Sequence, residues 1–188
     1  MRIIAGTFRG RRLATVGKTD TAAHLRPTTD RVRENLFNLL SSGKFCDRLT
    51  DARVLDLFTG TGALAFEALS RGASSIWMVD NGSQSAQLVK KNMALFPNTA
   101  DVVFKKLDAT RLPRCPTDPF DLIFMDPPYG KGLGEKALRL ALEQGWIAPE
   151  AGIVWEEATP MTAPAGFSQL DQRKYGDTYI TLLERFAL

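Results

Sequence analysis

The chain has 188 residues, 44% of them hydrophobic and 24% charged, the balance of one globular domain with room for an appendage. No apolar run reaches the roughly 18–20 residues of a membrane span, and arginines stand where a signal peptide needs its apolar core. One histidine (His24) and two distant cysteines (Cys46, Cys115) argue against a zinc set or a Ser-His-Asp site and fit reduced thiols in a cytoplasmic protein.

The opening "RIIAGTFRGRRLATV" alternates short β-prone runs with Gly6 and Gly10, which predicts a small hairpin. Residues 17–25 form a loop. "RPTTDRVRENLFNLLSS" is a helix with Thr29 or Asp30 as its cap, an apolar stripe of Val32, Leu36, Phe37, Leu39 and Leu40, and Gly43 as its stop. From residue 52 strands and helices alternate: "ARVLDLF", "ALAFEALSRG", "SIWMVD", "SQSAQLVKKNMALF", "DVVFKKLD", "FDLIFMD", "GEKALRLALEQGW" and "AGIVWEE". The closing "FSQLDQRKYGDTYITLLERF" makes two strands joined near Tyr175–Asp177. Such alternation predicts right-handed βαβ units in a mostly parallel sheet covered on both faces, with an antiparallel hairpin at one edge.

Charge is distributed unevenly over this plan. Residues 1–44 carry nine Lys/Arg against three Asp/Glu, and the rest carries fifteen against eighteen. The expected division is a basic extension over 1–26 followed by an α/β domain over 27–188. A basic leader on a weakly acidic body points to a polyanion partner, with Arg9, Arg11, Arg12, Arg26, Arg31 and Arg33 as the candidate polyanion-binding residues.

Ligands of such sheets bind at the carboxyl ends of the strands. Asp56, Asp80, Asp108 and Asp126 fall at the ends of the first four expected strands, so they would line one rim. "DLFTGTGALA" holds Gly60-x-Gly62-x-x-Ala65, with Asp80 twenty residues after Gly60. Glycines allow a sharp turn and close approach to a ligand, and the later carboxylate can accept from both hydroxyls of a ribose. Asp56 argues against a pyrophosphate at this turn and for a ligand bearing an ammonium group. S-adenosylmethionine, a nucleoside with an α-ammonium, a sulfonium and no phosphate, meets that description. Asp108 would accept from the adenine amine or would cap its own loop.

"DLFTGTG" resembles the first motif of class I S-adenosylmethionine-dependent methyltransferases, and "DPPY" at 126–129 resembles the fourth motif of those that methylate exocyclic amines of nucleobases. That resemblance implies a Rossmann-like fold with a seven-stranded sheet. It implies that Asp126 and the Pro127 carbonyl accept from the target NH2, that Pro128 stiffens the loop and that Tyr129 stacks on the base. Asp56, Phe58, Gly60, Gly62, Asp80, Asn81, Asp108, Ala109 and Asp126 would line the cofactor. "MRIIAGTFRGRRL", "RPTTDRVRENLFNLL", "ALSRGA" and "YGDTYITLLERF" extend the likeness over nearly the whole chain. It is similar to the bacterial 16S ribosomal RNA (guanine-966-N2)-methyltransferase family, although Thr59 and Thr61 replace smaller residues common there. The resemblance implies transfer to a guanine N2 in 16S ribosomal RNA, free or within the small subunit, by a monomer.

Three rivals remain at this level. A DNA adenine-N6 methyltransferase shares the "DPPY" loop, but 188 residues leave little room for a DNA-recognition domain. A nicotinamide oxidoreductase would leave "DPPY" idle. A non-catalytic RNA-binding module would have no use for the acidic rim.

Overall fold

A computed structural model describes residues 1–15, 30–41, 47–97 and 101–186. The expected loop 17–25, the Thr29 cap, the Gly43 stop, His24, Arg26 and Cys46 lie outside these residues.

Helix α1 (Asp30–Leu40) precedes β1 (Arg53–Leu57), α2 (Ala63–Ser70), β2 (Ser75–Val79), α3 (Ser83–Met93) and β3 (Val102–Lys105). Then follow β4 (Phe120–Met125), α4 (Leu133–Glu143), β5 (Ile147–Glu157), β6 (Phe167–Tyr175) and β7 (Thr178–Arg185). The seven strands form one sheet in the order β3-β2-β1-β4-β5-β7-β6. The first five run parallel, and β7 and β6 add as an antiparallel hairpin. This is the Rossmann-like architecture expected from the sequence.

Alternate residues of each strand serve opposite faces. Val54, Ile76, Met78, Leu122 and Phe124 meet Phe37 of α1, Phe66 of α2 and Val89 of α3 on one face. Leu55, Leu57, Ile123, Met125 and Trp155 meet Ala137, Leu138 and Ala141 of α4 together with Trp146 on the other.

One element differs from expectation. β5 starts four residues early, at Ile147, and its pairing with β4 slips between Phe120 and Leu122, where Pro149 and Glu150 (φ 59°) interrupt the ladder. A proline without an N–H hides such a strand start from pattern reading. The N-terminal segment closes into a short antiparallel clasp, the small hairpin expected: Arg2 bridges Arg12, and Ile3 N–H donates to Arg11 O (2.9 Å), Gly10 N–H to Ile3 O (2.9 Å) and Leu13 N–H to Met1 O (3.2 Å).

That clasp is held by α2 and α3. The buried Glu67 carboxylate accepts from Ile4 N–H (2.7 Å) and Ala5 N–H (3.1 Å), and Ser70 Oγ accepts from Phe8 N–H (2.9 Å). Gly6 (φ 80°) passes so close that a Cβ there would lie 1.7 Å from the Ser70 carbonyl oxygen, so only glycine fits. Asn92 of α3 accepts from Ala14 N–H (2.7 Å) and donates to the carbonyls of Ala14 (3.2 Å) and Thr61 (2.9 Å). Ile3 and Leu13 are buried in the same core as α1 and α2.

Candidate active site

The chain turns to opposite sides of the sheet after β1 and after β4, and these two strands are neighbours. Their carboxyl ends therefore flank the crevice where ligands of open α/β sheets bind. The β1 end carries "DLFTGTG" and the β4 end carries "DPPYG".

On the β1 side the strand leaves through Phe58, whose φ of 61° turns the chain sharply out of the sheet. Thr59 N–H donates to Val79 O (3.1 Å) and Gly62 N–H to Thr59 O (2.8 Å), which closes the turn. Gly62 (φ 79°) packs against Phe66 and Met78, and a Cβ would lie 2.7 Å and 2.9 Å from them. Asp80, just beyond β2, accepts from Gly60 N–H (3.0 Å) and from Gly82 N–H (2.7 Å), so one carboxylate ties both loops together. Asn81 beside it is exposed. Asp56 is buried and accepts from Thr59 Oγ1 (2.6 Å). Burial pushes its carboxyl up to about 7, against the opposing hydrogen bonds from Thr59 and from the Ala65 N–H.

Asp108 lies three residues beyond the end of β3 and caps a 3-10 turn, Ala109–Arg111. Its Oδ1 accepts from Thr110 N–H (2.8 Å) and Thr110 Oγ1 (2.7 Å), bonds that hold the carboxyl below its usual range. The loop-capping role is thus present in the structure, and Ala109 is buried behind it.

On the β4 side, Pro127 is buried and Pro128 exposed. The half-buried Tyr129 donates its hydroxyl to Glu156 Oε1 (2.9 Å), and Gly130 N–H donates to Glu157 Oε1 (3.3 Å). The last two residues of β5 therefore anchor the loop that follows β4. Burial, then the charges of Glu156 and Asp56, raise the Asp126 carboxyl well above the ordinary range. Desolvation, then the charges of Asp126, Glu156 and Glu157, raise the Tyr129 phenol. Sequence reasoning missed Glu156 and Glu157. "IVWEE" also puts acids at a strand end, which is a usable signal, but by itself the stretch reads only as a fifth strand.

The basic candidates separate. Arg9 and Arg31 line a surface groove of about 290 Å³ together with Arg2, and Arg12 is also exposed. Arg33 is a correction: it is fully buried, and its Nη2 donates to Asp30 Oδ1 (2.8 Å) and the Arg2 carbonyl (2.7 Å). Buried on α1 with Leu36, Phe37 and Leu40, it braces the clasp through the Arg2 carbonyl and offers no surface to a polyanion. Arg11 is half-buried, its guanidinium lying 4.8 Å from the Phe8 ring and 5.2 Å from the Phe96 ring and donating to the Leu95 carbonyl.

The fit to S-adenosylmethionine can be read from these groups. A turn closed to any Cβ at Gly62, a carboxylate at the end of β2 and a buried Asp56 that a nearby cation would stabilise in its ionised form suit a phosphate-free cationic nucleoside. Among the described residues no group of side chains could hold a metal ion, and no helix is long and apolar enough to cross a membrane.

Comparison with known proteins agrees with this geometry. Ribosomal RNA small subunit methyltransferase D of Escherichia coli is 37% identical over 191 residues, covering 100% of this chain and 91% of that protein. Its namesake in Haemophilus influenzae is 35% identical over 182 residues, covering 94% and 89%. The solved structure of methyltransferase yhhF from Escherichia coli superposes with a TM-score of 0.84 at 35% identity, covering 100% of this chain and 99% of that one. The family model described as Conserved hypothetical protein 95 matches residues 1–184. Matched from end to end by both model and relatives, the chain belongs to the family of ribosomal RNA small subunit methyltransferase D.

Proposed function

We propose that this chain transfers the methyl group of S-adenosylmethionine to the exocyclic N2 of a guanine in 16S ribosomal RNA. The observation that carries the proposal is the placement of "DPPY" beside the glycine turn, at the two adjacent strand ends of the topological switch point. The relatives' names, which specify small-subunit ribosomal RNA, support the substrate class.

S-adenosylmethionine, when bound, supplies an electrophilic methyl on a sulfonium. Gly60 and Gly62 give backbone close approach, Asp80 accepts from the ribose hydroxyls, Asp56 attracts the ammonium, and Phe58, Asn81, Asp108 and Ala109 complete the walls. The amine of a nucleobase is a poor nucleophile because its lone pair is delocalised into the ring. Asp126 and the Pro127 carbonyl accept its two hydrogens and turn the nitrogen so that the lone pair points away from the ring plane. This is catalysis by orientation and electrostatics. Asp126 must be ionised to accept, and an approaching N–H pair favours that form. Tyr129, pinned by Glu156, offers its ring face to the base. Arg9, Arg12 and Arg31, with Arg26, hold the RNA backbone, so residues 1–26 serve as the RNA-binding extension of the methyltransferase domain over 27–188. Such an enzyme works as a monomer in the cytoplasm, where its ribosomal substrate is.

Expression in a bacterium lacking its own enzyme of this type tests the proposal. N2-methylguanosine should reappear in 16S ribosomal RNA, with N6-methyladenine in DNA unchanged, by mass spectrometry of digested nucleic acid. A new methyl on DNA adenine, or none on either, would reject it.

A further inference from the structure

The loop that would hold the amine does not distinguish guanine from adenine, since both purines carry an exocyclic NH2. They differ in the neighbouring ring nitrogen: guanine N1 carries a hydrogen and donates, whereas adenine N1 has a lone pair and accepts. A second acceptor beside Asp126 would read that difference.

β4 and β5 are parallel neighbours with Met125 opposite Trp155. The next residues in register, Asp126 and Glu156, therefore stand side by side on one rim, at the strand spacing of about 4.8 Å. Glu156 is only 9% exposed, and its Oε1 is fixed by the Tyr129 hydroxyl at 2.9 Å. The same bond fixes the ring proposed to stack on the base, so base plane and carboxylate are set in one relation. A carboxylate has about four acceptor sites, and the tyrosine bond is one of several interactions that Glu156 makes.

We infer that Glu156 is a specificity-determining residue, whose carboxylate accepts the N1–H of the target guanine while Asp126 accepts at N2. This rests on the guanine-N2 reading above. An adenine offered in the same pose would set its N1 lone pair against the carboxylate. Sites built to bond a substrate N–H reject analogues that lack it far more strongly than apolar pockets reject a missing methylene. Crowding of Asp126 by the Glu156 charge agrees with the arrangement, because two adjacent donors on one ligand would relieve it.

The test uses ribosomal RNA in which the methylated guanosine, mapped by mass spectrometry, is replaced through ligation by 2,6-diaminopurine riboside. That base keeps the N2 amine, exchanges N1–H for an acceptor and carries an amine in place of O6, so the change of ratio in Glu156→Gln, rather than the wild-type preference alone, reports on N1. Wild-type protein should favour guanine in kcat/KM by about tenfold or more, the loss expected for one bond to a charged group. Glu156→Gln, whose amide can donate to N1, should lose rate on guanine and narrow or invert the ratio; Glu156→Asp should keep the guanine preference. Tyr129→Phe removes the tyrosine–glutamate bond and should slow both substrates alike, as would Glu156→Gln if Glu156 merely positioned Tyr129. An unchanged ratio in Glu156→Gln, or equal use of both bases by wild type, overturns the inference while leaving N2 methylation intact. Absence of N2-methylguanosine with wild type overturns the reading beneath it as well.

Discussion

Asp108, beyond β3, and Asp126, beyond β4, are both strand-end aspartates on one rim, yet their surroundings drive them apart. Asp108 receives two bonds from Thr110, which hold it ionised below the usual carboxylate range. Asp126 is half-buried beside Glu156 and Asp56, and its carboxyl rises well above that range. A carboxylate satisfied by its own loop acts as a fixed structural anion. One crowded by other acids, against the hydrogen bond from Tyr129, is favoured in its ionised form by the donors a ligand brings. The difference separates a carboxylate that holds its own loop from one whose ionised form awaits a donor, and the latter environment is the one that functional sites favour.

Asp126→Ala should break this contrast most severely. Turnover is expected to fall on the order of a hundredfold or more, with cofactor affinity within a few-fold of wild type, as single-turnover kinetics and calorimetry would reveal. Normal turnover would remove Asp126 from the chemistry.

Asp80→Ala strikes the other half. It takes away the acceptor for Gly60 and Gly82 N–H as well as the proposed ribose partner, so affinity for S-adenosylhomocysteine should weaken by roughly 1–3 kcal/mol. Calorimetry returning an unaltered constant would contradict the assignment.

The arginines carry the comparison to the surface. Replacing Arg9 and Arg12 with alanine should weaken RNA binding and reduce the slope of log affinity against log salt by about one for each phosphate no longer neutralised. Arg33→Ala should instead lower thermal stability, since its guanidinium braces Asp30 and the Arg2 carbonyl from a buried position. A full loss of salt dependence in Arg33→Ala would reverse this division.

The last test concerns pH dependence at Asp56. Its folded carboxyl titrates at about 7, against about 3.9 for an unfolded aspartate. The folded state thus binds the proton more tightly, and the stability this confers declines as pH rises from about 4 to about 7. A cationic cofactor needs the ionised form, so its affinity should rise with pH through about 7. Asp56→Asn should flatten both profiles, measured by thermal melts and by titration calorimetry across that interval.

Much of this protein was legible because its signals are contiguous. "DLFTGTG" to Asp80 and "FDLIFMDPPYG" each put strand, turn and acid in one short stretch, and a two-residue side-chain period marks the strands. Local chemistry does not say what stands beside a strand end. That Glu156, 27 residues from Tyr129, anchors the catalytic loop follows from β5 pairing with β4, a long-range choice of strand order. The same holds for the clasp: nothing local in "RIIAGTF" announces that Glu67 will satisfy its N–H groups or that Arg33 will turn inward. Composition and spacing determined the alternation of strands and helices, the glycine turn and the proline-stiffened loop after β4, because backbone conformation and burial period are local properties. The tertiary structure alone decided which acids face one another and which arginines reach solvent, because those depend on groups that the chain brings together from far apart.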